Sequence, residues 1–300
     1  MRPPFLQAND SVGIIAPARR MMLDELEPAI TWLQNAGWNA VLGKSIGASE
    51  NQFAGSDELR RADLQQMLDD NTIRAIWCAR GGYGTARLLD GLNLKRFAQK
   101  PKWIVGYSDI TALHQHIARH TRIDTLHATM PINLSTNTFA ASNSLQNTLN
   151  GNLQTYQWEA YPLNRQGQVE GKLIGGNLSV LYSLLGSESD IKWQNCILLL
   201  EDLDEYLYHI DRMLLNLQRS GKLSNLAGLV VGGMTDMKDN TIPFGKTAYE
   251  IIANHTHHAH YPIAFGAPVG HFPDNRAWVL GSKYVLNVGN VHAQMECLDK

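Results

Sequence analysis

Trp103-Ile104-Val105-Gly106-Tyr107-Ser108-Asp109-Ile110-Thr111 joins an apolar run to a glycine, a serine and the start of a helical pattern. The same alternation recurs outward from it. Residues 12–16 and 38–42 read as strands, with helical spacing between them at Leu26, Ala29, Ile30 and Leu33. Ser56 suits the cap of a helix through Leu59, Leu64, Met67 and Leu68, and residues 73–79 form the next strand pattern. A glycine-rich turn and a helical pattern at 86–89 follow, and 109–120 reads as a further helix. Strands alternating with helices in this way imply an α/β fold, with a parallel sheet covered by helices.

Beyond residue 135 the pattern breaks. The stretch up to residue 170 is rich in Asn, Ser, Thr and Gln and reads as a surface helix plus a linker. The expected division is therefore an N-terminal domain over 1–135, a linker over 136–170 and a C-terminal domain over 171–300. In the last, Gly175-Gly176-Asn177 suggests a turn into a helix. Residues 196–200, 226–231 and 262–265 suggest strands, and 203–217 and 244–253 suggest helices. The weak alternation over 277–288 suggests a hairpin.

Composition narrows the classes of function. Hydrophobic residues make up 44% of the 300-residue chain and charged residues 18%, an ordinary globular balance. With 26 basic against 28 acidic residues and no long basic run, a nucleic-acid partner is not expected. No apolar run is long enough to span a bilayer, and the start lacks a signal-peptide pattern, so no membrane association is expected. Cys78, Cys196 and Cys297 are odd in number, and the first two sit in apolar runs. They read as reduced thiols, which fits a cytoplasmic location.

Four places carry possible chemistry. Ser108, at a strand-to-helix turn, fits either a helix cap or a nucleophile elbow, with Ile110 where the G-x-S-x-G pattern has its second glycine. In the second reading the backbone N–H of Asp109 would face an oxyanion. The turn Arg80-Gly81-Gly82-Tyr83-Gly84 fits a tight turn, a phosphate cradle without the P-loop lysine, or a second oxyanion donor at the Gly82 N–H. Glu201 ends an apolar strand where it could orient a histidine, with Asp202, Asp204 and Glu205 as rivals. His271 lies in a loop dense in Gly and Pro that suits a site residue or a solvated one. The cluster His255, His257, His258 and His260 lacks metal-ligand spacing and reads as a solvated helix end, so no metal is expected.

The segments GIIAPAR (13–19), IWCARGGYGTAR (76–87), KWIVGYSDITAL (102–113), HATMP (127–131), GKLIGGNLSVL (171–181), LLEDLDEY (199–206) and PIAFGAPVGH (262–271) together resemble the LD-carboxypeptidase family of serine peptidases. That family includes murein tetrapeptide carboxypeptidases and microcin C self-immunity peptidases. The resemblance implies a Rossmann-like N-terminal domain with a parallel sheet plus a smaller α/β C-terminal domain, and a site between them. It implies Ser108 as nucleophile, Glu201 as the acid, His271 as the base, and the Gly82 and Asp109 N–H groups as oxyanion donors. It further implies a muropeptide substrate losing its terminal D-alanine, no cofactor, and a homodimer. The alternative it leaves open is a peptidyl or aminoacyl sulfamoyl-adenylate substrate. From outside the resemblance comes a non-catalytic nucleotide-binding module built on the glycine turn. Arg80 and Arg276 are candidates, by position alone, for holding the substrate's terminal carboxylate.

Overall fold

The computed structural model describes residues 1–298. Its first part runs β1 (Ser11–Ile15), α1 (Glu27–Asn35), β2 (Asn39–Leu42), α2 (Asp57–Asp69), β3 (Ile73–Cys78), α3 (Lys95–Gln99), β4 (Trp103–Gly106), α4 (Thr111–His120), β5 (Thr125–His127) and α5 (Phe139–Leu149). The second runs β6 (Tyr156–Glu159), β7 (Gly167–Asn177), α6 (Leu178–Ser183), β8 (Cys196–Leu203), α7 (Leu207–Arg219), β9 (Gly228–Thr235), α8 (Ala248–His255) and β10 (Ile263–Phe265). It ends with β11 (Trp278–Leu280), β12 (Lys283–Val288) and β13 (His292–Cys297).

Two sheets result. The first has the order β11-β5-β4-β3-β1-β2, with β1 to β5 all parallel and β11 antiparallel to β5. Its β2-β1-β3-β4-β5 core is doubly wound, and the strand order reverses between β1 and β3. Ligands in such sheets bind beyond the carboxyl ends of the strands at that reversal. The second sheet has the order β10-β9-β8-β7-β12-β13-β6; β7 to β10 are parallel and the remaining pairs antiparallel.

Alternation along the strands explains why both faces are covered. On the first sheet Ile14, Trp77 and Val105 pack toward α1 and α5, while Ile15, Ile76 and Ile104 pack toward α2 and α4. On the second, Leu198, Leu200 and Leu229 meet α7 and α8, while Ile197, Leu199 and Val230 meet β12, β13 and Trp278.

The segment expected as a linker carries more structure than its polarity suggested. Thr138 caps α5 by accepting from the Ala141 N–H, and Leu145 and Leu149 bury against the first core. Tyr156–Glu159 adds the edge strand of the second sheet. The tail divides as well. Trp278–Leu280 returns to the first sheet, while Lys283–Val288 pairs with the second, so the chain passes between the two halves more than once. The polar surface of α5 hides its apolar face because that face is only a few residues wide.

Helix α4 is the main bridge. Thr111 Oγ1 accepts from the Asn177 N–H at 3.1 Å, Gln115 Nε2 donates to the Gly175 carbonyl at 3.2 Å, and His116 Nδ1 lies 3.0 Å from Ser189 Oγ. Among the described residues, no helix is long and apolar enough to cross a membrane.

Candidate active site

β4 is buried throughout and delivers Tyr107 and Ser108 to the carboxyl edge of the first sheet. Ser108 sits at φ +63°, the left-handed region, which a side-chain-bearing residue occupies at a cost of about 1–2 kcal/mol. A plain helix cap does not need this conformation: Ser56, which caps α2, is extended at φ −64°. Strain at Ser108 is what a sharp elbow presenting a side chain above the sheet requires.

The neighbouring glycine turn is shaped to that elbow. A Cβ on Gly81 would lie 3.0 Å from Ser108 Cβ and 3.2 Å from its Oγ, so only a bare α-carbon lets the two turns approach this closely. Gly82 follows at φ +107°. The buried carboxylate of Asp109 ties the turns together, its Oδ2 accepting from the Thr85 N–H at 2.9 Å. Burial pushes the Asp109 pKa upward, against the hydrogen bonds from Thr85. Gly82, Ser108 and Asp109 line one cleft of about 350 Å³, and Asn177, Glu205 and His271 line it from the other half of the chain.

Glu201 and His271 both come from the second half. Glu201 stands near the end of β8 and is fully buried. His271 follows β10 in a loop anchored on both sides: the Ala267 N–H donates to the Val231 carbonyl at 3.1 Å, and the Gly270 N–H donates to Asn275 Oδ1 at 3.0 Å. The imidazole lies between the two partners, with Nδ1 2.6 Å from Glu201 Oε2 and Nε2 3.0 Å from Ser108 Oγ. Burial disfavours the imidazolium, but the charge and hydrogen bond of Glu201 outweigh it, and the His271 pKa is raised above its ordinary 6.5. The Tyr107 ring packs 4.8 Å from the imidazole, and its hydroxyl donates to Asn133 Oδ1 at 3.1 Å.

The rivals of Glu201 are engaged elsewhere. Asp202 accepts from Asn177 Nδ2 at 2.8 Å and from Ser179 Oγ at 2.7 Å, and burial together with the charge of Glu201 pushes its pKa up to about 6. Asp204 pairs with Lys238 at 2.8 Å, and Glu205 with His209 at 2.6 Å. The histidine cluster is used locally as well. His255 lies 2.8 Å from Asp211, His257 bonds the Asn254 carbonyl, and no metal-ligating group forms among the described residues.

Neither arginine singled out from sequence lines the cleft. Arg80 pairs with Glu25 at 3.8 Å, and Arg276 is held by Asp274 through its Nε at 3.1 Å and Nη2 at 2.9 Å. Sequence reasoning passed over Asn177 and Ser179 as cleft residues, although the capping pattern Asn177-Leu178-Ser179-Val180 was there to be read. The three cysteines are free thiols; Cys78 and Cys297 are buried.

Comparison with known proteins agrees with this architecture. The LD-carboxypeptidase N-terminal domain family matches residues 12–128, and the LD-carboxypeptidase C-terminal domain family matches residues 170–286. A protein of Bacillus subtilis named as a probable murein peptide carboxypeptidase is 34% identical over 98% of this chain and 94% of its own length. The murein tetrapeptide carboxypeptidase of Pseudomonas aeruginosa is 31% identical over 92% of each chain. Among solved structures, the muramoyltetrapeptide carboxypeptidase of Oxalobacter formigenes superposes with a TM-score of 0.86 at 26% identity, covering 96% of this chain and 99% of the other. The microcin C7 self-immunity protein MccF shares the fold, with a TM-score of 0.85 at 20% identity over 98% of this chain and 97% of its own.

Proposed function

This chain belongs to the LD-carboxypeptidase family, and from that premise we propose that it is a serine carboxypeptidase releasing terminal D-alanine from murein tetrapeptides. The observation that carries the reading is the continuous Glu201–His271–Ser108 hydrogen-bonded line, with a strained serine at its end.

The chemistry follows from that geometry. Ser108 Oγ attacks the carbonyl carbon of the scissile bond as His271 Nε2 takes its proton. Glu201 accepts from Nδ1, fixing the tautomer that leaves Nε2 free and stabilising the imidazolium. The oxyanion is received by the Gly82 and Asp109 N–H groups, each worth roughly 10²–10³ in rate. The C–N bond then breaks, and the amine of D-alanine leaves with the proton from His271. Water attacks the acyl-enzyme, gives its proton to His271, and releases the tripeptide carboxylate with Ser108 restored.

The free cysteines fit a cytoplasmic site of action, where wall peptides would be recycled, and a homodimer is carried over from the family resemblance. The deciding experiment incubates the purified protein with a murein tetrapeptide and follows D-alanine by mass spectrometry. Release by the wild type and none by Ser108→Ala is expected. Undiminished release by Ser108→Ala, or hydrolysis only of an aminoacyl sulfamoyl-adenylate, would overturn the reading.

A further inference from the structure

We infer that Arg19 binds the free terminal carboxylate of the substrate and so makes the site a carboxypeptidase rather than an endopeptidase site; the inference rests on the reading above. A peptidase that removes a single C-terminal residue must recognise the negative charge that residue carries. That carboxylate lies only three bonds of about 1.5 Å from the carbon attacked by Ser108, so its receptor must stand beside the oxyanion turn.

The cleft offers no such receptor on its far wall. There Ser179 Oγ lies 2.7 Å from both Asp202 Oδ2 and Glu205 Oε1, and two carboxylates facing the cleft repel a third. The cation must come from the near side, where the strand order of the first sheet reverses between β1 and β3.

Arg19 stands at that reversal. It follows β1, as the glycine turn follows β3, and the Arg19 N–H donates to the Gly81 carbonyl at 3.4 Å. Its stem crosses the face of Gly82: a Cβ built there would collide with Arg19 Cδ and Cγ. Gly82 thus keeps its oxyanion N–H while allowing an arginine stem to lie flat against its α-carbon. Like Arg80 and Arg276, Arg19 is not among the residues that line the cleft, but its stem lies against Gly82, which is. Arg19 is exposed and makes no ion pair among the described residues, whereas Arg80 faces Glu25 and Arg276 is forked by Asp274. An unpaired guanidinium beside an oxyanion turn is suited to a bidentate carboxylate partner.

The test compares a tetrapeptide ending in a free carboxylate with the same peptide ending in a carboxamide, using the wild type, Arg19→Met, Arg19→Lys and Arg276→Ala. Arg19→Met keeps the stem over Gly82 and removes only the charge. The wild type is expected to prefer the acid. In Arg19→Met, kcat/KM on the acid falls about 10- to 10²-fold, mainly through KM, and turnover of the amide is unchanged, so the preference collapses. Arg19→Lys restores part of it, and Arg276→Ala keeps it whole. An undiminished acid preference in Arg19→Met, with D-alanine still released by the wild type, overturns the role of Arg19 alone. A wild type that releases no D-alanine from the acid removes both readings.

Discussion

His271 Nδ1 stands 2.6 Å from Glu201 Oε2, across 70 positions of sequence, while the other carboxylate oxygen, Oε1, is buried with no hydrogen-bond partner among the described residues. Glu201 is thus committed to the imidazole alone. Glu201→Gln would let an amide N–H face Nδ1 and favour the wrong tautomer. We expect kcat to fall roughly 10³–10⁴-fold with little change in KM, as measured by steady-state D-alanine release. A loss of less than tenfold would mean the carboxylate does not act through His271.

The same pair sets the acid limb of the pH profile. Its base form is the neutral imidazole, and Glu201 holds the His271 pKa above 6.5 despite burial. Activity should therefore rise with pH through an apparent pKa above 6.5, and the limb should move to lower pH in Glu201→Gln. An unmoved limb in kcat/KM would assign that titration to another group.

The backbone of Ser108 can be separated from its hydroxyl. Ser108→Ala and Ser108→Gly both lose the nucleophile, but only glycine relieves the φ of +63°. Ser108→Gly should be the more stable of the two by about 1 kcal/mol in denaturant unfolding. Equal midpoints would show that the elbow stores no strain.

Asp202 gives a stability test. Its pKa, pushed by burial and by Glu201 from 3.8 to about 6, means the native state favours the protonated acid. That contribution is complete below about pH 4 and is lost as pH rises through about 6. Asp202→Asn cannot lose it. Relative to wild type, the variant should gain up to roughly 3 kcal/mol between pH 4 and pH 7.5, as read from urea unfolding. Parallel pH curves for the two proteins would contradict this.

Asp109→Ala keeps its own backbone N–H but frees the buried Thr85 N–H, at a cost of about 1–3 kcal/mol in stability. With Gly82 no longer tied to the nucleophile turn, kcat should drop by up to roughly 10² while KM changes little. Full activity with reduced stability would confine the bond to folding.

Much of this was legible in the chain. The buried run at β4 followed by Gly-Tyr-Ser-Asp marks an elbow whether or not the serine reacts, because strand, turn and helix signals all fall within a few residues. The identity of the base partner was not legible from spacing, since Glu201, Asp202, Asp204 and Glu205 sit almost side by side. Strand alternation and tertiary partners separate them: Asp202 turns to Asn177 and Ser179 while Glu201 turns to His271. Helix positions near the acids shifted for a related reason. β8 continues through Leu203, so α7 begins only at Leu207 instead of sharing the apolar spacing from residue 203. At Gly175-Gly176 the glycines extend β7 up to Asn177, which caps α6, instead of forming a free turn. Arg19 escaped notice because its meaning depends on β1 and β3 being neighbours, which no local pattern records. Arg80 and Arg276 looked suitable by position, yet each has an acid partner close by.

The return of Trp278–Leu280 to the edge of the first sheet has a consequence for biosynthesis. His271 emerges from the ribosome 163 residues after Ser108, and this strand follows it. A chain arrested between residues 112 and 270 carries the serine elbow but has no His271 imidazole beside it, and one arrested before 278 lacks the strand that closes the first sheet beside β5. If the proposed triad acts, chains cut short before residue 271 are inert, and hydrolytic competence waits on a loop made 163 residues after the serine.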